Sequence, residues 1–347
     1  MSKHYNIPIF VPHAGCPHDC VFCNQKKITG YDHAQDIKEA QAIIEDHLKS
    51  INRVDENTTI EIAFFGGSFT GIPEAVQTEY LELANSYITT GLIDGIRLST
   101  RPDYIDERII KNLKSYNVTT IELGVQSLIS DVLELSNRGH DLQSVETACK
   151  LIKDNNIKLG LQMMIGLPGD TYEKSLMTTR KIISLKPDMV RIYPTIVIEG
   201  TELEVMYHKG TYKPLDLKTA VRWTSRLYKL YDSSNITVIR MGLQATEALE
   251  AYVAGPYHPS FRQYVESYLY LESLHHFLKS HNPEMFDISV HPKEISYLVG
   301  QKRMNLNEIE QQYNLGKVKV YPKEMDRDYF EIKMNDKVFK VPKITII

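Results

Sequence analysis

Only four residues of the 347 are cysteine, and one is tryptophan. So few thiols exclude a disulfide-knit secreted scaffold, which needs an even and dispersed set. Charge of one sign is scarce as well, with 40 Lys and Arg against 44 Asp and Glu for a formal net charge of −4. That argues against a surface built throughout for nucleic acid, while leaving room for a local basic patch. No apolar run reaches the ~18 residues that a membrane helix needs. Residues 1–10 are too short and too mixed for a signal peptide, so a cytoplasmic protein off the membrane is expected. Internal repeats, low-complexity tracts and long linkers are missing too.

What is present is alternation. Strands are expected at 7–11, 60–65, 95–99, 119–124, 158–165 and 189–193, with helices near 36–51, 74–89, 106–116, 142–155 and 172–185 between them. Runs such as IEIAFF and LQMMIG are apolar on both faces, as in a parallel sheet wrapped by helices. Strand–helix alternation of this kind indicates α/β topology. Six units predict a partial TIM-type (β/α)6 barrel over residues 1–215, with 236–241 as a candidate further strand. Residues 216–347 are expected to form an α+β C-terminal extension packed on the barrel. Its helices are expected near 217–232, 261–280, 293–302 and 305–313, and its strands at 317–322, 328–334 and 337–344. Asn335-Asp336 is a hairpin signal between the last two.

Three of the four cysteines lie within eight residues, as Cys16-x3-Cys20-x2-Cys23, directly after the first strand. That end of a barrel strand is where active sites gather. Three thiolates on a tight loop can each take one iron of a cubane cluster, leaving the fourth iron open to a chelating ligand. A zinc site completed by His13 or His18 is the alternative. Phe22, just before the last thiol, and the segments that follow favour the cluster. Cys149 falls on the apolar side of a helical pattern with Val145 and Ile152, as a core residue.

Further segments stand at the ends of successive strands: Gly66-Gly67-Ser68-Phe69-Thr70, then Ser99-Thr100-Arg101-Pro102-Asp103, then Gly124-Val125-Gln126-Ser127 with Asn137-Arg138-Gly139-His140, then Gln162-Met163-Met164-Ile165-Gly166-Leu167-Pro168-Gly169-Asp170. In this order, behind that cysteine loop, residues 7–200 resemble the radical S-adenosylmethionine (SAM) enzymes. Within them the likeness is greatest to the radical SAM domain of Elongator subunit 3. Arg240-Met241-Gly242-Leu243-Gln244 and Gly255-Pro256-Tyr257-His258-Pro259 extend it. A more distant likeness is to oxygen-independent coproporphyrinogen oxidases.

The resemblance implies a [4Fe–4S] cluster on Cys16, Cys20 and Cys23, with Phe22 beside it, and SAM as second cofactor. It implies that Gly66, Gly67 and Ser68 contact the methionine amino end of SAM and that Arg138 pairs with its carboxylate. By the same likeness Gln126 bonds the ribose region, and Gln162, Tyr193 and Pro194 line the adenosyl pocket. Ser99, near the methionine or ribose, departs from an acidic residue common in relatives. The implied activity is reductive SAM cleavage fed by a donor such as flavodoxin or ferredoxin, with tRNA as the expected substrate. Radical chemistry on a small molecule or tetrapyrrole, and a non-catalytic cluster or haem carrier, are the alternatives. Elongator subunit 3 also has a basic N-terminal extension and an acetyltransferase domain. Here the first strand begins about six residues in, and no glycine-rich acyl-CoA loop is found after residue 200, so both are expected to be missing. Residues 317–347 hold eight Lys or Arg against five Asp or Glu, together with aromatics. They are either a capping sheet or a platform for single-stranded RNA. Gln301 to Asn305 is expected as a solvated loop or a phosphate grip, and His258 as a turn residue or an acid/base.

Overall fold

A computed structural model of the protein describes residues 3–11, 20–24, 36–51, 58–243, 252–281 and 283–344. Cys16, His13, His18 and Gln244 lie outside them.

Seven parallel strands form one sheet in sequential order: β1 (Lys3–Val11), β2 (Thr58–Gly66), β3 (Gly95–Thr100), β4 (Val118–Gln126), β5 (Lys158–Ile165), β6 (Met189–Pro194) and β7 (Thr237–Met241). The helices in and after the crossovers are α1 (Ile37–Ser50), α2 (Glu74–Thr89), α3 (Glu107–Ser115), α4 (Ser130–Leu135), α5 (Leu142–Asp154), α6 (Tyr172–Leu185), α7 (Glu202–His208) and α8 (Leu217–Ser233). Their starts are written locally. Asp36, Asp106, Asp141, Thr171, Thr201 and Asp216 each accept a backbone N–H from the first turn, satisfying a donor that the helix itself cannot. The sheet therefore takes in one more strand than the six expected in sequence, and that strand falls within the segment expected to be the extension.

The outer face of the sheet is aliphatic. Ile62, Leu98, Ile121, Leu161 and Ile192 pack with helix residues such as Leu81, Leu113, Ile152 and Leu227 in one core. The inner face is not. Arg97 donates to Glu61 (2.9 Å) and Glu122 (2.8 Å), and Arg191 pairs with Glu122 through two nitrogens, so a charge ladder crosses β2, β3, β4 and β6. Glu122 reaches Arg191 over β5 because its register partner there is Gly160, where a Cβ would lie 2.8 Å from the Glu122 side chain. The guanidinium of Arg191 also lies 5.5 Å from the ring centroid of Phe65 on β2. In a flat sheet those strands would be about 19 Å apart, so the sheet is curled with its inner face closing on itself. Strands β1 and β7 do not pair, and the barrel is partial.

The remainder is built on α9 (Phe261–His281). It adds β8 (Asp287–Val290), α10 (Ile295–Val299), α11 (Met304–Gln312), β9 (Lys319–Pro322), β10 (Tyr329–Met334) and β11 (Lys337–Pro342), with sheet order β11-β10-β8-β9. Asn335 and Asp336 have φ of 46° and 58°, as a type I′ hairpin turn requires. The helix expected over 293–302 is instead broken, because Gly300, Lys302 and Arg303 all have positive φ. Arg303 is held by Glu310 and the Val318 carbonyl and Asn305 is buried against α9, while Lys302 and Met304 of that segment stay exposed. His258 accepts the Ser260 N–H and is a turn residue. Among the described residues no helix is long and apolar enough to cross a membrane.

Burial alone would push the Glu61 carboxyl up, but His4 and Arg97 outweigh it and hold the group at about 2. The Glu122 carboxyl is likewise held low, with Arg191 and Arg97 overcoming its burial. Both are depressed below the unfolded value, so their stabilisation is present above about pH 4.5 and is lost as pH falls toward 2. Denaturant unfolding between pH 7 and pH 3 should show this acid limb. Glu122→Gln should cost about 3–5 kcal/mol at pH 7 and flatten the limb. An unchanged pH profile in the variant would contradict the ladder's role.

Candidate functional site

The sequence places its cysteine loop after β1, whose last residue, Val11, is in register with Gly66 of β2. The described end of that loop is docked. The Cys23 N–H donates to the Cys20 carbonyl (2.9 Å), closing a tight turn. The Val21 N–H donates to the Ser136 carbonyl, and the Val21 carbonyl accepts from Leu203 at the start of α7. Asn24 donates to the Glu199 carbonyl (3.1 Å). Val21 and Phe22 pack with Val197, Leu203 and Tyr212. Cys20 is buried, and Cys23 is half-buried.

Facing Cys20 is Arg138, from the turn between α4 and α5. Its guanidinium donates to the Gly124 carbonyl (2.6 Å) and approaches the Cys20 sulfur (3.4 Å). The residue is 7% exposed, and its Nε is buried with no hydrogen-bond partner among the described residues. Arg138 is fixed from behind by Arg101, which is 1% exposed. Arg101 forks onto both oxygens of Asp103 (2.9 Å each) and donates to the Arg138 carbonyl (2.7 Å). His140 is 8% exposed, with both ring nitrogens lacking a well-formed hydrogen bond among the described residues. Burial, then the neighbouring Arg138, push its ring down to about 3, so it stays neutral.

On the next strands the expected residues line the same rim. At Gly124 a Cβ would come within 3.0 Å of Arg138 and 3.1 Å of Gln126, so a side chain there would displace both. Gln126 follows a bulge and has φ of 60°, a costly conformation for a residue with a Cβ. Its Oε1 accepts from Gln162 Nε2 (3.2 Å). Met164 and Ile165 of β5 pair with Tyr193 and Pro194 of β6, and Arg191 donates to the Tyr193 hydroxyl (3.3 Å). Gly66, Gly67 and Ser99 are half-buried, and Ser68 is buried. Beyond them, Asp170 accepts from the Gly166 N–H and Ser175, and burial pushes its carboxyl up to about 6.

Cys20, Arg138, Gly124, Gln126 and Gln162 therefore form one continuous contact path, while Tyr193 is tied through Arg191 to Glu122 of the inner ladder. Cys149 is elsewhere, in the helix–sheet core, where burial pushes its thiol up to about 12. Sequence reasoning quoted Arg101 and His140 without giving either a task, and passed over the inner charge ladder. The spacing of Arg101 and Asp103 on either side of a proline was the one available signal for the fork.

These residues suit a thiolate-held cluster with an anionic ligand beside it. The cation facing a cysteine sulfur keeps one buried N–H unsatisfied, which a carboxylate would fill.

Comparison with known proteins agrees. The profile of the radical SAM superfamily matches residues 10–182, and that of the radical SAM C-terminal domain matches residues 187–270. An uncharacterised protein of Methanocaldococcus jannaschii is 32% identical over 227 residues, covering 62% of this chain and 68% of that protein. A tRNA uridine(34) acetyltransferase of the same organism is 39% identical over 127 residues, 36% of this chain and 24% of that enzyme. Human Elongator complex protein 3 is 26% identical over 262 residues, 63% of this chain and 48% of that protein. The chain thus spans about a quarter to a half of the length of these last two relatives. The solved archaeal Elp3 of Methanocaldococcus infernus shares the fold, with a TM-score of 0.62 at 24% identity over 78% of this chain and 63% of that one. By its profile matches and its M. jannaschii relative, the chain belongs to the radical SAM superfamily, whose cofactors are a [4Fe–4S] cluster and SAM.

Proposed function

We propose that this radical SAM enzyme carries its cluster on Cys16, Cys20 and Cys23, binds SAM across the ends of β2 to β6, and modifies RNA, with tRNA as its substrate. Together the two cofactors supply a 5′-deoxyadenosyl radical by reductive C–S cleavage, with the electron drawn from a carrier such as flavodoxin or ferredoxin. The observation that carries the reading is Arg138, a buried guanidinium facing a cysteine sulfur with its Nε–H unpaired among the described residues. That N–H is matched to the SAM carboxylate, and the Arg101 fork holds it at the right depth. Gly66, Gly67 and Ser68 offer backbone groups to the methionine amino end. With Gln162 occupying its oxygen, Gln126 has its amide nitrogen to donate to the ribose. Ser99 lies on the neighbouring strand, and Tyr193 and Pro194 wall the adenine side. The apolar packing of Val21 and Phe22 anchors the segment that carries Cys20 and Cys23. Support for RNA comes from the relatives named for tRNA uridine chemistry.

Anaerobic reconstitution should load about four irons and four sulfides. Cys16→Ala, Cys20→Ala or Cys23→Ala should abolish loading, and Cys149→Ala should not. Stoichiometric zinc and no cluster under strict anaerobiosis would refute the ligand set.

In cluster-loaded protein, Arg138→Ala should weaken SAM binding by about 2–4 kcal/mol, because a charge-assisted pair in a closed site is lost. Equilibrium dialysis with labelled SAM measures this. Unchanged affinity in a folded variant would show that the carboxylate binds elsewhere.

For the activity itself, loaded and reduced protein should release 5′-deoxyadenosine. Mass spectrometry of tRNA nucleosides should show a modification that disappears with the gene and returns with the wild-type chain but not with Cys20→Ala. An unchanged tRNA profile beside an altered small-molecule or tetrapyrrole pool would move the substrate to that class. No SAM cleavage under any of these conditions would mark a carrier.

A further inference from the structure

The four-stranded C-terminal sheet has one covered face and one open face. Phe330, Ile332, Ile288, Val290 and Val341 point inward to the core shared with α9 and the helices after it. The alternate residues point away, and no described element covers them. Pairing fixes their arrangement. Tyr321 of β9 is in register with Ser289 of β8, which is in register with Glu331 of β10, and Glu331 with Lys340 of β11. Ordinarily such a face is polar throughout. Here Tyr321 is 45% exposed and Val338 57% exposed. Lys340 Nζ lies 3.9 Å from the ring centroid of Tyr329, so that ring already holds a cation. The small Ser289 between the two tyrosine-bearing strands leaves a shallow saddle.

Charge on this face runs opposite to the chain as a whole. Lys319, Lys333 and Lys340 are exposed on it. Of its two carboxylates, Glu331 is neutralised by Lys323 at 2.6 and 2.7 Å, and Asp287 lies between Lys319 and Lys333 in the register. One exposed tyrosine, Tyr321, and one half-buried one, Tyr329, set among lysines on an open sheet match the chemistry of unpaired RNA: bases present π-faces to the rings, and phosphates meet the ammonium groups. An apolar protein partner would leave the lysines unpaired.

We propose that this open face is the docking surface for a single-stranded segment of the RNA substrate, with Tyr321 and Tyr329 as stacking platforms and Lys319, Lys333 and Lys340 as phosphate contacts. It rests on the reading of the substrate as tRNA. The face binds an unpaired loop and leaves the barrel rim to the reacting nucleoside.

The test uses full-length, cluster-loaded protein, with tRNA and a single-stranded RNA oligonucleotide as probes across a salt series. Tyr321→Ala should weaken both by about tenfold, and Tyr321→Phe, which keeps the ring, should not. Lys319→Glu, Lys333→Glu and Lys340→Glu combined should abolish binding. All three positions are exposed, so SAM cleavage without RNA should match wild type and report an intact barrel. Unaltered RNA affinity in these variants, with wild-type binding intact, would overturn the surface and leave the substrate assignment standing. No RNA binding by wild type at low salt would overturn both. Slower reduction by flavodoxin with unchanged RNA affinity would reassign the face to an acidic redox protein and overturn the proposal.

Discussion

A buried guanidinium normally has a carboxylate opposite it, because removing a charge from water costs several kcal/mol unless a partner compensates. Among the described residues none pairs with Arg138. Its partners are a peptide carbonyl and a cysteine sulfur, and its Nε has none. The nearest charged group behind it, Arg101, is of the same sign and is tied off by Asp103. His140, two residues on, is kept neutral. Among the described residues the neighbourhood thus leaves one positive charge without a carboxylate partner at the rim of the barrel. The surrounding groups are held tightly around it: Gly124 makes room, Gln126 accepts a costly φ, and the Cys20 turn is pinned from both sides.

Beneath that rim the curled sheet has a polar inner floor. A closed eight-stranded barrel fills its interior with layers of branched apolar side chains. Here the equivalent positions carry Glu61, Arg97, Glu122 and Arg191, mutually paired, with Phe65 stacked under the last. A ladder of this kind holds strand positions by direction as well as by contact, since each guanidinium must meet two partners at once. It also ends at the Tyr193 hydroxyl. The floor therefore sets the height and angle of Tyr193 at the rim, so one inner layer both holds the curl and positions a residue at its mouth.

Much of this was legible in the sequence, and the omissions have physical reasons. The strands of the barrel are long, apolar on one or both faces and bounded by glycine or proline, so periodicity and breakers located them. The type I′ turn at Asn335-Asp336 was written in residues that tolerate positive φ. By contrast β8 is four residues long, too short to show a period, although it is central to its sheet. The expected helix over 293–302 has helical composition, but Gly300 opens a run of positive φ that tertiary packing then exploits. In the site, motif order pointed to Arg138, Gln126 and Gln162. The Arg101 bond to the Arg138 carbonyl spans 37 positions and uses a backbone atom, and the Glu122–Arg191 bond spans 69. Neither leaves a local trace, because partner choice across a sheet is decided by register.

The same logic joins the two halves of the chain. Phe261 and Val265, at the start of α9, belong to the barrel core, while Tyr270, Leu274 and Leu278 further along belong to the core under the C-terminal sheet. Arg262 reaches the Val238 and Ile239 carbonyls of edge strand β7 and approaches Glu266, whose carboxylate also takes Lys343 just beyond β11. Lys343 in turn meets Glu294, which is bound by Arg327. Burial opposes the charge on Lys343, but the two carboxylates keep its amine protonated. One helix end is thus sealed into each core, with a charge chain alongside, so the C-terminal sheet cannot turn on the barrel without breaking both. A helix of 21 residues is about 30 Å long. Its two ends thus hold the barrel and the C-terminal sheet at a fixed separation along the helix.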